Sequence, residues 1–182
     1  MSPVATQTVV GNGDVNVAQA GLDHQALSVY ISTRWNVDVA SARKIVAWTE
    51  AASIDHGIDP LLVLAVIARE SSFQHIGNHF DYRLDVESTE VDPNTPHGYM
   101  QIDGTFHPEK MPVNERGQPR VTTGPENIQI GTQILREYLD REKGSEARAL
   151  QRYNGSLSDT TRRFSNYVLQ VRDALKRVQQ AA

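Results

Sequence analysis

Cysteine is absent from all 182 residues, which excludes disulfides, thiolate nucleophiles and cysteine-ligated zinc. The redox compartment stays open, because a chain without thiols suits either side of a membrane. No stretch comes near the roughly 20 apolar residues that a membrane-spanning helix needs. The opening Met1-Ser-Pro-Val-Ala-Thr-Gln has no basic start and no apolar run, so it does not read as a signal peptide. Either export by that route is not used, or a leader was removed and a start Met added. Excess positive charge is missing too: 18 Lys and Arg stand against 22 Asp and Glu, a formal net charge of −4. A broad grip on nucleic acid needs clustered cations and is not indicated. The six histidines are scattered. His75 and His79 have a metal-like i, i+4 spacing, but Gly77 lies between them in an irregular stretch. No metal is expected; His75, His79 or His97 is read instead as lining a cleft.

What is present is one domain's worth of helix. The hydrophobic share of 39% supplies one core and leaves room for polar tails. Residues 1–21 are rich in Gly, Asn, Val and Ala without a period and read as a flexible N-terminal arm; residues 22–182 read as the folded domain. A helix is expected from near Asp23, with Leu27, Tyr30 and Ile31 on its apolar face. A second runs from about Val39 to His56 and stops at Gly57. Asp59-Pro60 then opens a third, as N-cap and first helical residue. Its body, Leu61 to Ala68, is apolar on every side, the mark of a helix central to a core.

Between Gln74 and Pro125 the regularity fails, punctuated by Gly77, Pro93, Pro96, Pro108, Pro112, Gly117 and Pro119. So long an irregular span inside a compact domain is more often functional surface than filler. Helical order returns at about Glu126, with Gly131 marking a close approach, expected from another backbone. Ser145 is expected to cap a short helix ending near Asn154-Gly155. Ser158 is expected to cap the last one, whose face is Phe164, Tyr167, Val168, Val171, Leu175 and Val178.

Glu70 is the residue with the most to say. It lies three residues beyond Ile67, four beyond Val66 and seven beyond Val63, on the side of the helix that those residues bury. A carboxyl group against hydrocarbon is poorly solvated, and its pKa should rise. That is the condition a general acid needs near neutral pH. Periodicity alone favours a plainer role, a carboxylate paired with Arg69 or another cation at a helix end.

The wider pattern bears on that choice. Ala68-Arg69-Glu70-Ser71-Ser72-Phe73 resembles the Glu-Ser signature of the soluble lytic transglycosylase family. Gly98-Tyr99-Met100-Gln101-Ile102 resembles its Gly-Leu-Met-Gln segment, and Pro125 to Thr132 resembles its Asn-Ile…Gly helix start. Ala149-Leu150-Gln151-Arg152-Tyr153-Asn154-Gly155 is similar to its Ala-Leu…Tyr-Asn stretch, and Gly57 to Leu62 to its lead-in to the catalytic helix. Each match is weak alone; together, in family order from about Ala40 to Leu175, they are specific.

The resemblance implies a mainly α, lysozyme-like domain with a long irregular insertion after the catalytic helix. It also implies cleavage of the bond between N-acetylmuramic acid and N-acetylglucosamine by one glutamic acid, with no metal or cofactor. Carried over by residue, Glu70 is the acid/base. Met100 and Gln101 line the cleft with Tyr99 beside them, and Gly98 lets the strand pass close. Tyr153 and Asn154 face the sugar, and Ser71 supports the helix end beside it. The implied partner is the peptidoglycan glycan strand, placing the protein in the periplasm or cell envelope of a bacterium. Tyr99 replaces the usual leucine, His97 a small residue, and Asp103-Gly104-Thr105-Phe106 the usual proline-containing continuation.

Three outcomes stay open: a lytic transglycosylase, a muramidase that hydrolyses the same bond, and a wall-binding module that has lost turnover. Hydrolysis usually needs a second carboxylate, and the matched motifs supply none. The acidic run Asp81, Asp85, Glu87 and Glu90 could provide one, or it could be a solvated loop or flap.

Overall fold

A computed structural model describes residues 21–75 and 92–182. The proposed arm and the acidic run with His79 fall almost wholly outside these residues. Within them lie six α-helices and one 3₁₀ turn: α1 His24–Trp35, α2 Val39–His56, α3 Pro60–Glu70, α4 Gly124–Arg141, α5 Glu146–Tyr153 and α6 Arg163–Ala181, with the 3₁₀ turn at Pro108–Lys110. The described residues contain no β-strand, only two isolated antiparallel bridges, His97–Ile102 and Val113–Pro119.

The helix boundaries follow from local chemistry. The Asp23 carboxylate accepts from the Ala26 amide (2.8 Å) and opens α1. Asp38 does the same for α2 through Ser41, and Asp59 for α3 through Leu61; each satisfies an amide that has no intrahelical partner. Gly57 ends α2 in the left-handed conformation, φ 61°. The start of α4 lies two residues ahead of the expected Glu126. Thr123 is the cap, and Glu126 closes a reciprocal capping box with it.

The expectation that Ser158 caps the last helix is wrong by about four residues. The N-cap is Arg162, with no side-chain capping bond, and Asp159 shapes the preceding turn by accepting from the Thr161 amide at 2.8 Å. The chain then passes through a left-handed Arg162, φ 54°, before α6 begins. The expected Ser145 cap does stand at the N-cap of α5, but its side chain makes no capping bond.

Helix α3 is the axle of the domain. Leu61 to Ala68 are all buried, and α3 packs against α6 on one side and α2 on another. Helices α1, α4 and α5 complete the ring through contacts of α1 with α2 and α6, of α2 with α4, and of α5 with α4 and α6. Full burial of one such Leu, Ile or Val side chain contributes about 1.5–3 kcal/mol. Truncating Leu64, wholly enclosed, should therefore cost about 2–5 kcal/mol.

The chain leaves the axle abruptly. After Glu70, Ser72 and Phe73 both take positive φ, 52° and 61°, a conformation that non-glycine residues adopt only when their surroundings compel it. Here Phe73 is drawn back into the core, its ring 5.0 Å from that of Trp35 in an edge-on contact. The reversal leaves Glu70 at the exposed limit of an otherwise buried helix.

Candidate active site

A cavity of about 400 Å³ opens at the end of α3, and Glu70 is part of its lining. The segment 96–107 contributes Pro96, Gln101, Ile102, Asp103, Phe106 and His107. Ile134 and Tyr138 come from α4, and Arg152, Tyr153, Asn154 and Gly155 from the end of α5. Of the residues singled out in the sequence, Glu70, Gln101, Tyr153 and Asn154 meet here.

Glu70 makes no ion pair or hydrogen bond among the described residues. The plainer reading, a pair with Arg69, is not what the structure contains. The Arg69 guanidinium lies instead over the rings of Phe164 (5.7 Å) and Tyr167 (5.5 Å), tying the end of α3 to α6. Burial pushes the Glu70 carboxyl up to about 7, only partly offset by the Arg69 charge. Helix ends of this polarity also disfavour an anion, since the last carbonyls point their negative ends at it. Near neutral pH the group can both give and take a proton.

Tyr153 stands beside it. Its hydroxyl donates to the Met100 carbonyl at 2.9 Å. Burial and the nearby Glu70 charge raise its pKa well above the usual value, so the phenol stays neutral. The ring meets Tyr138 edge-on at 6.3 Å, and the Tyr138 hydroxyl lies 3.3 Å from His107 Nε2. Burial lowers the His107 pKa. These three side chains form a neutral wall leading away from Glu70.

Ser71, Gly98, Tyr99 and Met100 do not line the cavity; they build the wall behind it. Ser71 is buried; its hydroxyl donates to the Tyr99 carbonyl (2.7 Å), with the Ile67 carbonyl 3.1 Å away as the alternative acceptor. Met100 is wholly enclosed and fills the notch at Gly131, where an added Cβ would come within 2.6 Å of its sulfur. The close approach expected at Gly131 is thus made by a side chain, not by backbone. Tyr99 points to the corner of α2 and α4, its ring centroid 6.4 Å from Trp48 and 5.0 Å from His75.

Gly98 passes close to Asn127. Its φ is 76°, and a Cβ there would lie 2.2 Å from the Asn127 carboxamide carbon. His97 is likewise buried, not cleft-lining. Its Nδ1 faces the Thr95 carbonyl (2.9 Å) and its Nε2 accepts from the Thr122 amide (3.2 Å).

Asn127, at the start of α4, holds this wall together. It is fully buried. Its Oδ1 accepts from the Met100 amide (2.7 Å), and its Nδ2 donates to the His97 carbonyl (3.0 Å) and the Thr122 hydroxyl (2.9 Å). A carboxamide can do this because it offers donors and an acceptor on one rigid plane. The wall then positions Gln101, whose φ of 48° and bond from Nε2 to the Gly98 carbonyl (2.7 Å) fix its side chain at the cavity.

Phe106, His107, Ile134, Tyr138 and Arg152 were not picked out as cleft residues from the sequence. Ile134 and Tyr138 share the apolar face of α4, a signal that reads as core. Phe106 is 76% exposed, and an isolated aromatic in an irregular segment carries no periodic signal. No group of three or more metal-ligating side chains occurs among the described residues. No described helix is long and apolar enough to cross a membrane.

A helical domain built round one buried apolar helix, with a carboxyl at its end facing an open cleft, belongs to the lysozyme-like class of folds. Residues 47–172 match the transglycosylase SLT domain, and the chain belongs to that family. No curated protein matches the chain. The family's members cleave glycans in the manner of lytic transglycosylases and lysozymes, and peptidoglycan is the substrate that membership implies.

Proposed function

We propose that this protein is a peptidoglycan lytic transglycosylase. On this reading it cleaves the β-1,4 bond between N-acetylmuramic acid and N-acetylglucosamine in the periplasm or cell envelope. The observation that carries the reading is Glu70, a carboxyl in the cavity with no pairing partner among the described residues and its pKa pushed up to about 7. Protonated Glu70 donates to the glycosidic oxygen, and the bond to the muramoyl C1 breaks. The substrate's own N-acetyl group stabilises the cation-like centre. The muramoyl 6-hydroxyl then attacks C1 while ionised Glu70 takes its proton. The product is a 1,6-anhydromuramoyl end, lighter by one water than the product of hydrolysis. Gln101, Tyr153 and Asn154 hold the sugar around the reacting carbon.

A second reading rests on Asp103, which also lines the cavity. A second carboxylate there could activate water and make the enzyme a muramidase. The usual separations are about 5–5.5 Å for retention and about 6.5–9.5 Å for inversion. Asp103 has another task, however: its Oδ1 accepts from the Thr105 amide at 2.8 Å and shapes the turn before Phe106. Mass analysis of fragments released from purified sacculi separates the readings. Anhydro ends are expected, and Asp103→Asn should retain most activity. Reducing muramic acid as the main end, lost in Asp103→Asn, would establish the hydrolase.

A further inference from the structure

Arg152 is a charged cavity residue that the proposed chemistry does not use. Its Nε donates to Glu142 Oε1 at 2.8 Å, and Nη2 contacts the same oxygen. The second oxygen of Glu142 accepts from Arg148 Nε at 2.6 Å. Glu142 is 7% exposed and so serves as a fixed anchor. One carboxylate is therefore shared by two guanidiniums, leaving one positive charge in excess. Nη1 of Arg152 has no partner among the described residues, although a guanidinium carries five donors. The side chain is 26% exposed, and the residue lines the cavity.

Its place in the cleft narrows its role. The Arg152 charge acts on the Tyr138 hydroxyl, and the side chain is bonded to Glu142 and not to Glu70. Arg152 thus borders the Tyr138 end of the cavity. The other cations near that end are engaged or neutral. Lys110 is bound to Glu137 at 2.7 Å, Arg141 lies over the Tyr138 ring at 5.9 Å, and burial holds the His107 pKa low. The remaining carboxylate of the lining, Asp103, repels anions from its own side.

We infer that Arg152, braced by Glu142, is a specificity residue that receives a carboxylate carried on the muramoyl residue of the glycan. The inference rests on the proposed glycan-cleaving function. Two sources offer that chemistry: the lactyl carboxylate of a strand stripped of its peptides, and the carboxylates of an attached stem peptide. N-acetylglucosamine offers neither. A pre-positioned planar fork with a free edge suits a carboxylate, and a neighbouring anion that fixes the fork lowers the ordering cost on binding.

The test measures binding by calorimetry in Glu70→Gln protein, so that no turnover intervenes. The ligands are an N-acetylglucosamine oligomer, a peptide-free glycan oligomer with muramic acid, and the same oligomer bearing stem peptides. Arg152→Gln should weaken at least one carboxylate-bearing ligand about tenfold or more, the scale of one charge-assisted hydrogen bond. It should change the N-acetylglucosamine oligomer less than about twofold, and the ligand that loses affinity identifies the source. Arg152→Lys, which keeps the charge but not the fork, should recover part of the loss.

Equal losses for all three ligands, or none, would overturn the inference. If Arg152→Gln does not fold, Arg152→Lys carries the test, and an unchanged preference for carboxylate-bearing ligands in that protein overturns it. Failure of all three glycans to bind the parent Glu70→Gln protein would instead overturn the glycan-cleaving reading on which the inference stands.

Discussion

Two glutamates at opposite helix ends show what position does to one side chain. Glu70 is the last residue of α3, and Glu126 lies in the first turn of α4. Glu126 accepts from the Arg120 guanidinium (2.9 and 2.7 Å) and from the Thr123 amide (2.9 Å), and its pKa is held down to about 2. Glu70 has none of these donors and is pushed up to about 7 by burial. The α4 terminus offers free amides and a positive dipole end; the α3 terminus offers carbonyls and hydrocarbon. The first arrangement fixes a structure, and the second leaves a proton ready to move.

The strongest way to test the contrast is to remove that proton. Glu70→Gln is nearly isosteric and should lower cleavage of sacculi by at least about 10²-fold, the low end for loss of a general acid/base. A folded variant that keeps most of its activity ends the assignment. The pH profile is the next test. With the acid titrating at about 7, kcat/KM should fall roughly tenfold per pH unit above that value. A rate that keeps climbing into alkaline pH would show that protonated Glu70 is not required.

Asn127→Ala attacks the wall rather than the acid. It strands the Met100 amide and takes the donor from the Thr122 hydroxyl inside the protein, while the His97 carbonyl keeps its bond from the Ile102 amide, so about 2–4 kcal/mol of stability should go. Thermal unfolding measures it, and a change below about 1 kcal/mol would mean that the wall does not depend on this carboxamide.

The two glutamates also make opposite predictions for stability. A carboxyl with a raised folded pKa contributes fully below its unfolded value near 4.5, and that contribution is lost as pH rises through about 7. At pH 8 Glu70→Gln should therefore be more stable than the parent, by as much as about 3 kcal/mol. The gain should vanish near pH 4. Identical unfolding curves at pH 8 would contradict the burial of the charge. Glu126 works the other way: its contribution is present above about 4.5 and is lost as pH falls toward about 2. It is 37% exposed, so solvent weakens the pair, and Glu126→Gln at pH 7 should cost only about 0.5–1 kcal/mol. A cost above about 2 kcal/mol would mean that the pair is shielded from water.

How much of this could be read in the sequence follows from the range of the forces involved. The limits of α2 and α3 were legible because Asp38, Gly57 and Asp59-Pro60 act within a turn of where they stand. The burial of Glu70 was legible because its spacing to Val63, Val66 and Ile67 is fixed by the helix itself. The last helix start was misplaced because a left-handed Arg162 has no sequence signature comparable to glycine. The cleft lining was only half legible. Gly98, Tyr99 and Met100 carry the motif but face Asn127, Trp48 and Gly131, contacts separated by tens of residues. Tyr138 shares a helical face with core residues, and Arg152 was visible only as a letter between Gln151 and Tyr153.

The Asn127 clamp has a kinetic side. Met100 and Asn127 are 27 residues apart, so the wall of the cleft can close only after the intervening loop has been drawn in and α4 has docked. Loop closure costs entropy before the three hydrogen bonds return anything. The cleft wall should then form late in folding, after the local helices. By the same reasoning it is the segment through which the native protein opens first. Exchange of the Met100 amide, whose acceptor is the Asn127 side chain and not a helix, would time that opening.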